Sequence, residues 1–160
     1  MDEGDHGGGI VVFCRLQRKG SVLLIRRAAS PHLGLVTIPG GRKEAMETPQ
    51  AACIREMREE TGLDVVSPLL SGVVSFFSPA SRRETLCFYF TARSFSGRLT
   101  SSPEGEIFWV PVLESYQLEG LSPLYRLIGP FLVGRKGALL VGSVGLGQGG
   151  QVQSHDLRWQ

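Results

Sequence analysis

The feature that most constrains this chain lies between Gly41 and Leu63, where a turn marked by proline and glycine runs into one well-capped helix crowded with acid. Thr48 offers a side-chain oxygen to the first free backbone N–H groups, and Pro49 suits the first helical position. Gly62 stands where a helix can end in a left-handed residue, so the pattern predicts a helix over 48–61. Ala52, Ile54 and Met57 are its apolar positions. Glu56 and Glu60 are four residues apart and share one face, with Glu59 at the edge of that face. Like charges so spaced repel by a few tenths of a kcal/mol per exposed pair, and the negative end of the helix dipole adds to the strain. Two readings follow. One is a solvated charged face, partly neutralised by Arg55 and Arg58. The other is a site for a hard divalent cation such as Mg²⁺, which takes carboxylate oxygens at about 2.1 Å and completes its octahedron with water and substrate phosphates.

The remainder of the 160 residues bounds the setting. The length is that of one domain, read as 1–160, with the acidic, glycine-rich start 1–8 expected to be disordered. Hydrophobic residues make up 42% and charged residues 20%, and no apolar run approaches about 18 residues, which excludes a fibrous chain and a helical membrane span. The start carries no apolar secretory core, so the expected location is cytoplasmic. A formal charge of +2 gives no ground for nucleic-acid binding, and neither a nucleic acid nor a membrane is expected as partner. Cys14, Cys53 and Cys87 lack metal-ligand spacing and read as buried free thiols. Residues 9–16 and 21–27 predict a hairpin around the four residues 17–20. Pro39, Gly40 and Gly41 predict a tight irregular loop, and strands are expected at 72–77, 85–93 and 106–111. Of the alternating residues in 85–93, one set (Leu86, Phe88, Phe90) or the other (Cys87, Tyr89) should be core, the remaining set facing a cleft or solvent. Helical pieces at 112–118 and 122–133, the second broken near Gly129 and Pro130, precede a glycine-turned hairpin at the end. The fold class is α/β (α+β), a sandwich.

From Gly41 the pattern runs Gly, five residues, Glu47, seven residues, then Arg55, Glu56, Glu59, Glu60 and Gly62. A chance match to such a pattern has a probability on the order of 10⁻⁶ for a chain of this size. The stretch PGGRKEAMETPQAACIREMREETGL resembles the Nudix box at every defining position, with Met46 standing where many members carry glycine. LLIRRAASPHLGLVTIPGG resembles the approach to the box in the MutT group, and the half from SPEGEIFWVP onward resembles enzymes that remove 8-oxo-dGTP and related oxidised purine nucleotides. The resemblance implies the Nudix fold, a mixed β-sheet sandwiched between helices. It implies a Mg²⁺- or Mn²⁺-dependent pyrophosphohydrolase of nucleoside triphosphates, with oxidised purine triphosphates as candidate substrates and a monophosphate plus pyrophosphate as products. ADP-ribose, nucleotide sugars and dinucleoside polyphosphates are the alternative substrates, and a nucleotide sensor without catalysis is the alternative class. Carried over by position, Glu56, Glu59 and Glu60 are the metal ligands, with the Gly40 carbonyl and an acid after the box, Glu104 in preference to Glu106. Glu59 is the expected general base, Arg55 orients a glutamate and Glu47 is structural. Arg27 and His32 lie at the substrate phosphates, whereas Arg26, its neighbour on a strand, faces the other way. Glu114, Gln117 and Glu119 are the candidates for reading the base. The expected assembly is a monomer or homodimer.

Overall fold

The computed structural model describes residues 8–30, 32–133 and 137–160. In chain order the elements are β1 (Ile10–Arg18), β2 (Ser21–Arg27), β3 (Val36–Thr37), β4 (Gly40–Arg42), α1 (Pro49–Thr61), β5 (Leu63–Val65), β6 (Leu69–Ser78) and β7 (Arg83–Ala92). There follow β8 (Phe95–Gly97), β9 (Gly105–Pro111), α2 (Val112–Ser115), α3 (Pro123–Leu132), β10 (Leu140–Leu146) and β11 (Val152–Trp159). The first hairpin turns on Lys19 and Gly20, at φ 48° and 79°. Left-handed φ at both central residues matches the twist of the flanking strands. The connection is therefore two residues rather than the expected four, because Gln17 and Arg18 continue the ladder opposite Val22 and Ser21.

Beyond those two rungs the strands part. β1 runs parallel to β7 and antiparallel to β4, whereas β2 pairs antiparallel with β3 and β9. The nine-stranded sheet has the order β11-β10-β6-β7-β1-β2-β3, with β4 and β9 as side branches, and β5 pairs separately with β8. Side chains alternate across it, and a helix covers each face. Val12, Cys14, Leu16, Leu23 and Ile25 pack on Ala52, Cys53 and Met57 of α1. On the other side Val22, Leu24, Val74, Phe76, Cys87 and Tyr89 pack with Tyr125, Ile128 and Leu132 of α3. This is the mixed sheet between helices that the sequence implies. Burying a side chain such as Met57, fully enclosed here, contributes about 1.5–3 kcal/mol, so α1 is held by its apolar face rather than by its charges.

Three further expectations are corrected. Cys87 and Tyr89 are the core set of β7, on the α3 side; the other set does not simply face solvent or a cleft, for it grades from exposed Leu86 through half-buried Phe88 to buried Phe90 under α1, so that only the second half of the strand is covered on both faces. Pro39 and the two glycines do not exclude regular structure, for Gly40–Arg42 forms β4 against Phe13, Val12 and Val11. A Cβ on Gly40 would lie within 2.1 Å of the Val12 carbonyl oxygen, so glycine is what permits the pairing. α3 continues through Pro130 to Leu132, the proline costing one hydrogen bond at exposed Arg126 near the helix end. The disorder expected for 1–8 falls on residues outside the described set except for Gly8, which is placed against the Glu84 backbone. β8 was not anticipated. All three cysteines are buried and free, and no helix among the described residues is long and apolar enough to cross a membrane.

Candidate active site

α1 is capped as its sequence dictates. The Thr48 hydroxyl accepts from the Ala51 N–H at 3.1 Å, and Gly62, at φ 76°, closes the helix with its N–H on the Arg58 carbonyl. The acids then sort by burial. Glu60 is 1% exposed and Glu56 9%, whereas the Glu59 side chain is 57% exposed. The shared face of Glu56 and Glu60 thus turns into the protein, under the β4 turn.

Each buried carboxylate meets backbone stripped of side chain. Gly40 donates its N–H to Oε2 of Glu60 at 2.9 Å. At Gly41 an added Cβ would stand 2.4–2.5 Å from the carboxylate atoms of Glu56, so Glu56 occupies the space that glycine leaves. Arg27, at the end of β2, reaches Oε1 of Glu60 at 3.5 Å. Arg26 points away, with Nη1 3.5 Å from the Gly34 carbonyl and its guanidinium over Phe108. His32 lies near Arg27. Burial first, and then the Arg27 charge, lower its pKa, so the imidazole is neutral at pH 7.

Arg55 ties the remaining acids together. Its Nε and Nη2 hold the two oxygens of Glu47 at 3.1 and 2.7 Å, a bidentate pair, while Nη1 donates to Glu56 at 3.0 Å and to Glu59 at 3.1 Å. Nη2 also donates to the Arg42 carbonyl at 2.9 Å. The Arg55 bonds pull the Glu47 pKa down to about 2, and Glu47 in turn pushes that of Arg55 up. Glu47 therefore fixes the arginine, which fixes the acids.

Glu104 arrives from the loop before β9, where its carbonyl accepts from the Ala28 N–H at 2.9 Å. Its carboxyl shares a hydrogen bond with Glu60, and its charge also acts on Glu56. Burial, reinforced by Glu104, pushes Glu60 up to about 9; burial is likewise the main cause raising Glu56. Glu106, the other acid in that loop, stands opposite Arg26 in the β2–β9 ladder and does not join the group. Among the described residues no three acidic, His or Cys side chains converge at one point as a closed metal cage. The donor set still suits Mg²⁺ or Mn²⁺. Such ions are bound through one or two carboxylates and keep water and phosphate as the other ligands, and the proton that burial holds on Glu60 is what a cation would displace.

A box of this form on a helix under a mixed sheet has a counterpart in known proteins. The sequence profile of the NUDIX domain matches residues 5–128. The chain belongs to the Nudix hydrolase family. Among its relatives are an uncharacterised Nudix hydrolase, YvcI, of Bacillus subtilis, 36% identical over 103 residues, which are 62% of this chain and 63% of that protein. An ADP-ribose pyrophosphatase of Methanocaldococcus jannaschii is 31% identical over 57% of this chain and 54% of its own length. An 8-oxo-dGTP diphosphatase of Proteus vulgaris is 36% identical over 49% of this chain and 68% of its own. The chain thus spans about 63% and 54% of the first two of these relatives. The crystal structure of a MutT protein from Bacillus halodurans superposes with a TM-score of 0.83, at 27% identity, over 93% of this chain and 97% of that one.

The residues proposed to read a base are less well gathered. Glu114 and Gln117 are exposed, and Glu119 lines a shallow cleft with Arg26, Leu33, Gly34 and Leu35 on the side away from Glu60. Trp109 is half-buried, stacked on Phe95 at 5.8 Å with the Arg18 guanidinium over both rings, so its face is already taken. The sequence reading missed the Gly41 cradle for Glu56. Only the adjacency of two glycines before the box hinted at it.

Proposed function

We propose that the chain is a divalent-metal-dependent pyrophosphohydrolase of nucleoside triphosphates, releasing a monophosphate and pyrophosphate, with oxidised purine triphosphates such as 8-oxo-dGTP as the preferred class. The observation that carries this reading is the acid group beside Gly40 and Gly41, in which buried Glu56 and Glu60 meet the exposed Glu104, with Arg27 at its mouth. Glu56, Glu60 and Glu104, with Glu59 and the Gly40 carbonyl, are the residues that would hold the metal. When bound, Mg²⁺ or Mn²⁺ neutralises phosphate oxygens and lowers the pKa of a water ligand. Arg27, a directional cation at the rim, grips a phosphate, and the neutral His32 beside it donates a hydrogen bond. Glu59, the most exposed of the three helix acids and steadied by Arg55, takes the proton of the attacking water. Arg55 and Glu47 keep that carboxylate in line, a positioning function worth more than a charge alone.

The reading is tested by assaying 8-oxo-dGTP, dGTP and ADP-ribose with Mg²⁺ and Mn²⁺, following pyrophosphate against phosphate release, for the wild type and Glu59→Gln. Expected are pyrophosphate release, at least about tenfold higher kcat/KM for the oxidised purine, and a kcat for the variant about 100-fold lower. ADP-ribose as the best substrate overturns the substrate assignment, and turnover without a metal, or undiminished in the variant, overturns the site.

A further inference from the structure

The face of the sheet turned away from α1 carries polar side chains that the acid site does not use. Arg15 leaves β1 on that face and is 2% exposed. Its Nη1 donates to Oε1 of Gln17 at 2.6 Å, but Nε and Nη2 are buried and have no hydrogen-bond partner among the described residues. Above it lie Tyr116, just past α2, and Tyr125, 3% exposed on α3, with their rings stacked at 5.9 Å. Both hydroxyls are likewise buried and without partners among the described residues. The Tyr116 hydroxyl lies within weak hydrogen-bonding reach of both Tyr125 and Arg15, although neither contact closes to a full hydrogen bond. Gly129 completes the arrangement. A Cβ there would lie 2.9 Å from the Tyr116 ring and 3.0 Å from that of Tyr125, so its absence lets the two rings close down beside the helix.

The three side chains carry one positive charge and no negative one, and the acceptors among them are only the two neutral hydroxyl oxygens. A guanidinium is donor only and permanently charged, and each hydroxyl brings one proton of its own. The one hydrogen-bond partner of Arg15 among the described residues, Gln17, is neutral. Tyr116 cannot serve as the counter-charge, because burial and the neighbouring Tyr125 hold it up to about 12 and keep it protonated. A buried cation without a matching anion is among the costliest arrangements a fold can hold. We propose that Arg15, Tyr116 and Tyr125 form a binding site for a single small inorganic anion of the size and charge of chloride. Its location on the α3 side of β1 separates it from the acids of α1, and the burial of its donor atoms favours a monatomic ion over phosphate. It is independent of the hydrolase reading.

The test is thermal unfolding at constant ionic strength with chloride exchanged for gluconate. A rise in Tm of about 5 °C is expected on going from none to about 0.3 M chloride. Arg15→Met, which exchanges a buried charge for an apolar chain of similar length and so keeps the fold, should show a flat response. Crystals grown in bromide should give an anomalous peak beside Nη2 of Arg15. A flat response in the wild type, an equal rise in Arg15→Met, or an ordered water in place of bromide overturns the proposal.

Discussion

Glu60→Gln should make the metal-free protein more stable at alkaline pH, although it removes a side chain from the centre of the proposed site. In the folded chain burial and Glu104 hold the Glu60 pKa at about 9, against an ordinary value of 4.5. An acid whose pKa is raised by folding stabilises the folded state fully only below its unfolded value. That stability is lost as pH climbs towards the folded value. The window is therefore pH 4.5 to about 9, and across it the metal-free wild type should lose on the order of a few kcal/mol. Glutamine does not titrate, yet its oxygen can still accept the Gly40 N–H that Glu60 binds at 2.9 Å. In chelator-treated protein the two Tm values should lie close together near pH 5. By pH 8.5 the variant should lead by roughly 5–10 °C, taking about 2–4 °C per kcal/mol for a chain of this size. Added Mg²⁺ should reverse the order, since the ionised glutamate gains a cation and the amide does not. A pH-independent difference, or a wild type that is the more stable at pH 8.5 without metal, would refute the burial argument.

Met46, fully exposed at φ 65°, occupies a left-handed position without the freedom of glycine, so Met46→Gly should raise stability by about 0.5–1 kcal/mol, read from the urea midpoint. Arg27→Ala should raise the KM for a triphosphate about tenfold or more while Arg26→Ala changes it little, because only Arg27 faces Glu60; equal effects would make both ordinary surface charges.

Much of the site was legible because it is local. The caps of α1, the shared face of Glu56 and Glu60 and the opposite pointing of Arg26 and Arg27 follow from helical and strand periods within a few residues of sequence. The choice between Glu104 and Glu106 was open, since both sit in one loop. The β2–β9 register sets Glu106 against Arg26 and leaves Glu104 ahead of the strand beside Glu60, which supports Glu104 in the proposed site. The double burial of the second half of β7 was not legible for a similar reason: one of its faces is closed by α3, some thirty residues downstream, and a period of two cannot say whether one side or both are covered. Arg15 gave no signal at all, because a charged residue in a strand ordinarily faces water and its lid comes from α2 and α3.

The order of assembly carries a consequence for the nascent chain. β1 runs parallel to β7, with Ile10 opposite Leu86, so a loop containing α1 must close before the centre of the sheet exists. Long-range parallel pairing of this kind is slow. α1 can form early from its own caps, and β4 can dock on β1 across some thirty residues. Glu104 joins only after the chain has been made far enough for β9 to zip onto β2. A ribosome-bound fragment ending near residue 100 would thus display the whole box while its acid group was still incomplete. Capacity to bind metal tightly should appear late in synthesis, as a marker of the completed sheet rather than of the motif.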